Sequence, residues 1–169
     1  MASRHALSAD PIEMARANWI EHGWEDAADG MALITSIMRV QQVFLARIEA
    51  ILRPFGLTFA RYEVLRLLAF SRRGTMPVGK IGERLQVHPA SVTNAVQRLE
   101  ADGLVRRVAN PNDGRSILAE ITGPGRQLVE QCTQRLNHEV FSVVPITPAQ
   151  QERAIVALKG VRKAFGDFE

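Results

Sequence analysis

The stretch from Lys80 to Thr122 limits the possible folds of this chain more sharply than any other. Two helical patterns stand back to back, the first with Ile81 and Leu85 inside and the second with Val92, Val96 and Leu99 inside. A three-residue turn, Gln86-Val87-His88, separates them, Pro89 opens the second and Asp102-Gly103 stops it. Two runs of period-2 character follow, Leu104–Val108 and Ser116–Ile121, around the turn sequence Asn110-Pro111-Asn112-Asp113-Gly114. They read as one β-hairpin. Helix, tight turn, helix is the grammar of a helix-turn-helix. A fold of mainly α character follows, with a small β-hairpin appended to that motif.

The second helix of such a motif enters the major groove of DNA, and its first turns meet base edges. Opposite Val92, Val96 and Leu99 this helix offers Ser91, Thr93, Asn94, Gln97 and Arg98. Hydroxyl, amide and guanidinium groups are the donors and acceptors that read bases and hold phosphates. A face that is merely solvated would carry Glu and Lys instead. His88 stands at the N-terminal edge, where free N–H groups and the helix dipole attract a phosphate. On the hairpin, Arg106 and Arg107 lie on one strand and Arg115 lies at the tip beside Asp113. An Arg on a narrow hairpin can enter the minor groove, and Asp113 is placed to fix the turn and orient that guanidinium. Charge supports the same face. Residues 72–126 hold nine Lys/Arg against five acids, whereas residues 1–30 hold two Arg against six acids.

Outside this segment the chain reads as helices. Asp10-Pro11-Ile12-Glu13 starts one, with Gly23 as its stop, and an acidic link from Glu25 to Gly30 leads to a longer helix over about 31–53. Its apolar stripe includes Ile34, Ile37, Met38, Phe44, Ile48 and Ile51. Thr58 caps a helix carrying Tyr62, Val64, Leu65 and Leu68; Thr122 caps a long helix to about Val140; Pro148 opens the last. The apolar stripes of the terminal helices exceed what a core of this size can cover, so two copies meeting about a two-fold axis are expected.

The chain resembles the MarR (multiple antibiotic resistance regulator) family of winged-helix transcription regulators. The residues that carry the likeness are "LTFARYEVLRLLA", "IGERLQVHPASVTNAVQRLEADGLVRR", "DGRS" and "ITGPGRQLVE". The resemblance implies a winged helix-turn-helix lobe over 56–122, dimerisation helices over 31–53 and 122–169, and an N-terminal extension over 1–30. It also implies a homodimer on a pseudo-palindromic double-stranded DNA operator, with Ser91, Thr93, Asn94, Gln97 and Arg98 on the recognition helix and Asp113 and Arg115 on the wing. A repressor released by a small aromatic or anionic effector is the expected function. A helical protein-interaction module of the same fold, without DNA binding, is the alternative.

Effectors in the family usually bind where dimer helices meet the DNA-binding lobe, which here nominates Trp19, His22, Trp24, Met38, Phe59, Arg61 and Tyr62. Trp19 and Met38 at helical spacing also fit a plain core, and His22 a helix end. The extra N-terminal helix with its Trp is similar to the urate-responsive branch, but Glu63 and Ala95 stand where that branch has Asp and Arg. A purine effector is therefore not carried over.

One cysteine, Cys132, excludes an internal disulfide, and its expected state is buried and inert. His5, His22, His88 and His138 show no ligand spacing, so neither a metal nor any other cofactor is expected. Glu83 and Glu100, flanking the motif, read as solvated or phosphate-repelling. With no nucleophile motif, phosphate loop or paired carboxylates, an enzyme is not expected. No signal peptide and no 18-residue apolar run is evident, so a cytoplasmic protein with no membrane partner follows by default.

Overall fold

The computed structural model describes residues 7–111 and 113–169; His5 and Asn112 lie outside them. The chain forms two compact units, one ending at Cys132 and one beginning at Thr133, so the division falls inside a helix.

In the first unit, α1 (Pro11–Glu21) begins as its sequence requires, with the Asp10 carboxylate accepting from the Ile12 N–H at 2.9 Å and Pro11 at the first helical position. Gly23, at φ +80°, turns the chain back. The next helix, α2 (Glu25–Leu52), absorbs the acidic stretch that the sequence suggests is a link. Glu25 and Asp26 fall in its first turn, where the helix dipole favours carboxylates. Together, α1 and α2 form a hairpin clasped by Arg16 Nε on Asp29 Oδ1 at 2.7 Å.

The span Glu25–Phe55 is, by length and composition alone, long and apolar enough to cross a membrane. This corrects the reading that no such run exists. Thr35, Ser36, Arg39, Gln41 and Gln42 run through its middle and make it amphipathic.

A single 3-10 turn, Arg53–Phe55, leads to α3 (Phe59–Phe70), capped by Thr58, whose hydroxyl accepts from the Arg61 N–H at 3.4 Å. Then come β1 (Thr75–Pro77), α4 (Val78–Leu85), α5 (Pro89–Ala101), β2 (Val105–Ala109) and β3 (Ile117–Ile121). The hairpin is thus part of a three-stranded antiparallel sheet in the order β1-β3-β2. Met76 pairs with Ala119 on one side of β3, and Arg107 pairs with Ala119 on the other. Leu52, Leu65, Leu68, Ile81, Val92, Val96 and Leu99, all at most 1% exposed, form the core with Val105 and Ala119 from the sheet. Roughly 1.5–3 kcal/mol per large apolar side chain is the scale of stabilisation that such burial provides.

Two local features fix the helix-turn-helix. Gly82 lets α4 and α5 approach closely, since a Cβ there would lie 3.3 Å from Val92 Cγ2. Gln86 takes a left-handed conformation, φ 52°, to end α4.

Thr122 Oγ1 accepts from the Gly125 N–H at 3.1 Å and so caps α6 (Gly123–Glu139). Cys132 is fully buried. In the second unit a 3-10 turn, Phe141–Val143, follows, and α7 (Pro148–Ala164) starts with a complete capping box between Thr147 and Gln150. None of the α7 residues is buried.

Candidate nucleic-acid interface

Along α5 the burial pattern splits cleanly. Val92, Ala95, Val96 and Leu99 face the core, while Ser91, Thr93, Asn94, Gln97 and Arg98 are exposed. Ala95, where the urate-responsive branch has an Arg, is thus a core position, 8% exposed. Within the exposed row the side chains are partly organised. The Thr93 hydroxyl donates to the Pro89 carbonyl at 3.0 Å, which keeps its lone pairs outward. Arg98 Nε donates to Asn94 Oδ1 at 2.9 Å, leaving the terminal guanidinium nitrogens forward. Ser91 and Gln97 make no side-chain hydrogen bond among the described residues. His88 is the cap of the helix: its Nδ1 accepts from the Ala90 N–H at 3.2 Å, and its ring stands exposed at the N-terminal edge.

The wing is closed by its own turn. Asn110 Nδ2 donates to Ser116 Oγ at 2.7 Å, and the Ser116 N–H donates to the Asp113 carbonyl at 3.0 Å. Asp113 Oδ1 accepts from the backbone N–H of Arg115 at 3.0 Å. Asp113 therefore fixes the turn as expected but does so through the backbone, and the Arg115 guanidinium has no ion pair among the described residues. It is an exposed cation at the tip.

The two other wing arginines are placed differently. Arg106 reaches across the hairpin to Glu120 Oε1 at 3.1 Å and is 67% exposed. Arg107 is held by Glu100 at the end of α5: Oε2 accepts from Nε at 2.5 Å and Oε1 accepts from the backbone N–H at 3.1 Å. The same bonds hold the Glu100 carboxyl below the usual carboxylate range. Glu100 is therefore an engaged anion, where the sequence suggests one that is free or repelling. Nothing periodic signals this pair, because its members sit on a helix and a strand.

The candidate effector residues fall into three groups. Trp19 meets Trp24 edge-on at 5.6 Å between ring centroids, and His22 stacks on Trp24 at 5.7 Å, all at the turn between α1 and α2. Met38 lines an open groove of about 1240 Å³ at the other end of α1, with Leu7, Ile12 and Arg39. Phe59 and Tyr62 stack on α3 at 6.1 Å. On the same helix, Arg61 donates to Asp102 Oδ2 at 3.0 Å and to the Gly56 carbonyl at 2.5 Å. This last pair ties the end of α5 to the turn after α2. Among the described residues no group of three His, Cys, Asp or Glu is placed to hold a metal ion.

Residues 55–116, which span the helix-turn-helix and most of the wing, match the model of the MarR family. The crystal structure of Sco5413, a MarR family transcriptional regulator from Streptomyces coelicolor, is 48% identical, with a TM-score of 0.76 over 83% of this chain and 98% of that one. A cysteine-to-serine variant of MarR from E. coli, complexed with operator DNA, superposes with a TM-score of 0.73 at 25% identity, over 80% of this chain and 96% of that one. The HTH-type transcriptional repressor Rv2887 of Mycobacterium tuberculosis is 29% identical over 126 residues, 75% of this chain and 89% of that protein. Coverage of curated relatives varies, falling to 53% of one relative's own length. The winged helix-turn-helix, the turn chemistry of the wing and this match along nearly the full length of a solved member together place the chain in the MarR family.

Proposed function

We propose that the chain is a homodimeric, sequence-specific DNA-binding transcription regulator, a repressor that leaves its operator when a small aromatic or anionic effector binds. The observation that carries this reading is one lobe presenting both an exposed hydroxyl- and amide-rich helix face and an exposed cation at the wing tip. That pairing suits a major groove for α5 and an adjacent minor groove for Arg115. The complex of E. coli MarR with operator DNA, and a repressor among the relatives, support it.

Dimerisation is supported by apolar residues that the single chain leaves in solvent, Ile34 and Met38 on α2 and Ile155 and Val156 on α7. The helices over 31–53 and 122–169 are the proposed dimer region. Two copies would set their α5 helices in successive major grooves, roughly 34 Å apart. The Trp19, His22 and Trp24 cluster, aromatic with a polar edge, is the part of the candidate effector site best suited to a small aromatic anion. A cytoplasmic regulator without cofactor, catalytic activity or membrane partner completes the reading.

Fluorescence anisotropy with genomic fragments at several salt concentrations tests it. One tight site with a steep salt slope is expected, reflecting counterions released by several cations. Binding no stronger than to bulk DNA would instead mark an interaction module that shares the fold.

A further inference from the structure

Resting on that DNA-binding reading, the inference concerns how α5 and the wing are held against one another. Glu100 lies on the last turn of α5 and Arg107 lies at the centre of β2, with Ala119 of β3 as its partner. One carboxylate engages Arg107 twice, at its backbone N–H and at its side-chain Nε. A single contact would leave the strand free to pivot. Two contacts to different parts of one residue fix both the distance and the rotation of β2 relative to α5. The neighbouring helix end is pinned as well, by Arg61 on Asp102 and by the Thr122 hydroxyl donating to the Gly103 carbonyl at 2.9 Å.

We infer that Glu100 is a positioning residue that sets the angle between recognition helix and wing, and that Arg107 is its strut instead of a phosphate contact. Arg106 differs, because its single contact to Glu120 lies within the hairpin and its side chain is two-thirds exposed. Positioning and plain electrostatics predict effects of opposite sign. A bystander carboxylate beside a polyanion repels it, so its removal strengthens binding to every duplex. Removal of a positioning carboxylate weakens binding only where helix and wing must engage together.

The test uses the full chain, by anisotropy on an operator duplex and on an unrelated duplex over a range of salt. Wild type comes first: binding to no duplex would defeat the DNA-binding reading itself. Glu100→Gln is then expected to weaken operator binding about tenfold or more, the scale for losing a charged hydrogen bond. Its affinity for the unrelated duplex should stay equal or rise. Arg107→Met should match it with an unchanged salt slope, whereas Arg115→Ala should lower that slope. The double variant Glu100→Gln with Arg107→Met should be no weaker than either single one. Glu100→Asp, which keeps the charge but cannot span the distance, should behave as Glu100→Gln, and retained affinity of both for the unrelated duplex excludes a folding defect. Tighter operator binding in Glu100→Gln, full affinity in Glu100→Asp, or a salt slope lower by about one in Arg107→Met would overturn the assignment.

Discussion

Leu65, Leu68 and Leu99 in the winged lobe are completely buried, whereas Ile34 and Met38 on α2 and Ile155 and Val156 on α7 each remain more than half exposed. The contrast even runs along one helix, because Ile48, Ile51 and Leu52 at the end of α2 are buried while its middle is not. The core of the lobe is built from α3, α4, α5 and the three-stranded sheet, and the end of α2 adds Ile48, Ile51 and Leu52 to it. The middle of α2 and the length of α7 carry comparable residues that stay exposed among the described residues. Large apolar side chains left exposed along a helix suit an interaction surface. The two regions thus differ in kind, one buried within the chain and the other exposing the apolar residues on which the proposed dimer rests.

The sharpest way to probe that division is to delete apolar atoms on each side of it. Leu99→Ala removes a fully buried side chain from α5 and should destabilise the fold by about 2–5 kcal/mol, measured by denaturant unfolding. Ile155→Asp on α7, in contrast, should leave the helical signal of the chain intact and convert the proposed dimer to a monomer in sedimentation velocity. A folding defect from the second change, or a surviving dimer, would erase the distinction.

A smaller effect is expected at Gly125. A Cβ there would run into the Leu104 carbonyl oxygen and crowd Ile121, so Gly125→Ala should cost about 1–3 kcal/mol at the junction of wing and α6. Thermal melts would detect it.

The smallest expected effect concerns Glu63 on α3. Its half-buried carboxyl has no hydrogen bond or ion pair among the described residues, and burial pushes its pKa above the ordinary value. An acid whose folded pKa is raised contributes stability below its unfolded pKa and loses it as pH rises through the folded one. Glu63→Gln should therefore raise the melting temperature at neutral pH, with the gain vanishing near about pH 4.

Much of the lobe was legible from local chemistry. The Thr58 and Thr122 caps, the turn before Pro89 and the exposed row on α5 all follow from residues close in sequence, each satisfying a backbone group or a helical period. β1 was not legible. It is three residues long, includes a proline and owes its existence to pairing with β3, more than forty positions away. The start of α2 differs from expectation because Gly30 and a run of acids resemble a link, although acids in a first turn suit a helix. The wing base is hard to read from sequence for a different reason. Arg106 and Arg107 look alike as basic residues on a hairpin, and only the fold reveals that one crosses to Glu120 and the other is locked to Glu100. Charge counting locates a basic face; it cannot tell which cations are already spent.

A hydroxyl-radical footprint of the bound operator, taken with wild type and with Arg115→Ala, tests the central claim most directly. The account predicts two protected segments about one helical turn apart, each flanked by minor-groove protection that the Arg115 variant loses while the central pattern persists. A footprint identical in both proteins, or one continuous segment without two-fold spacing, would contradict it.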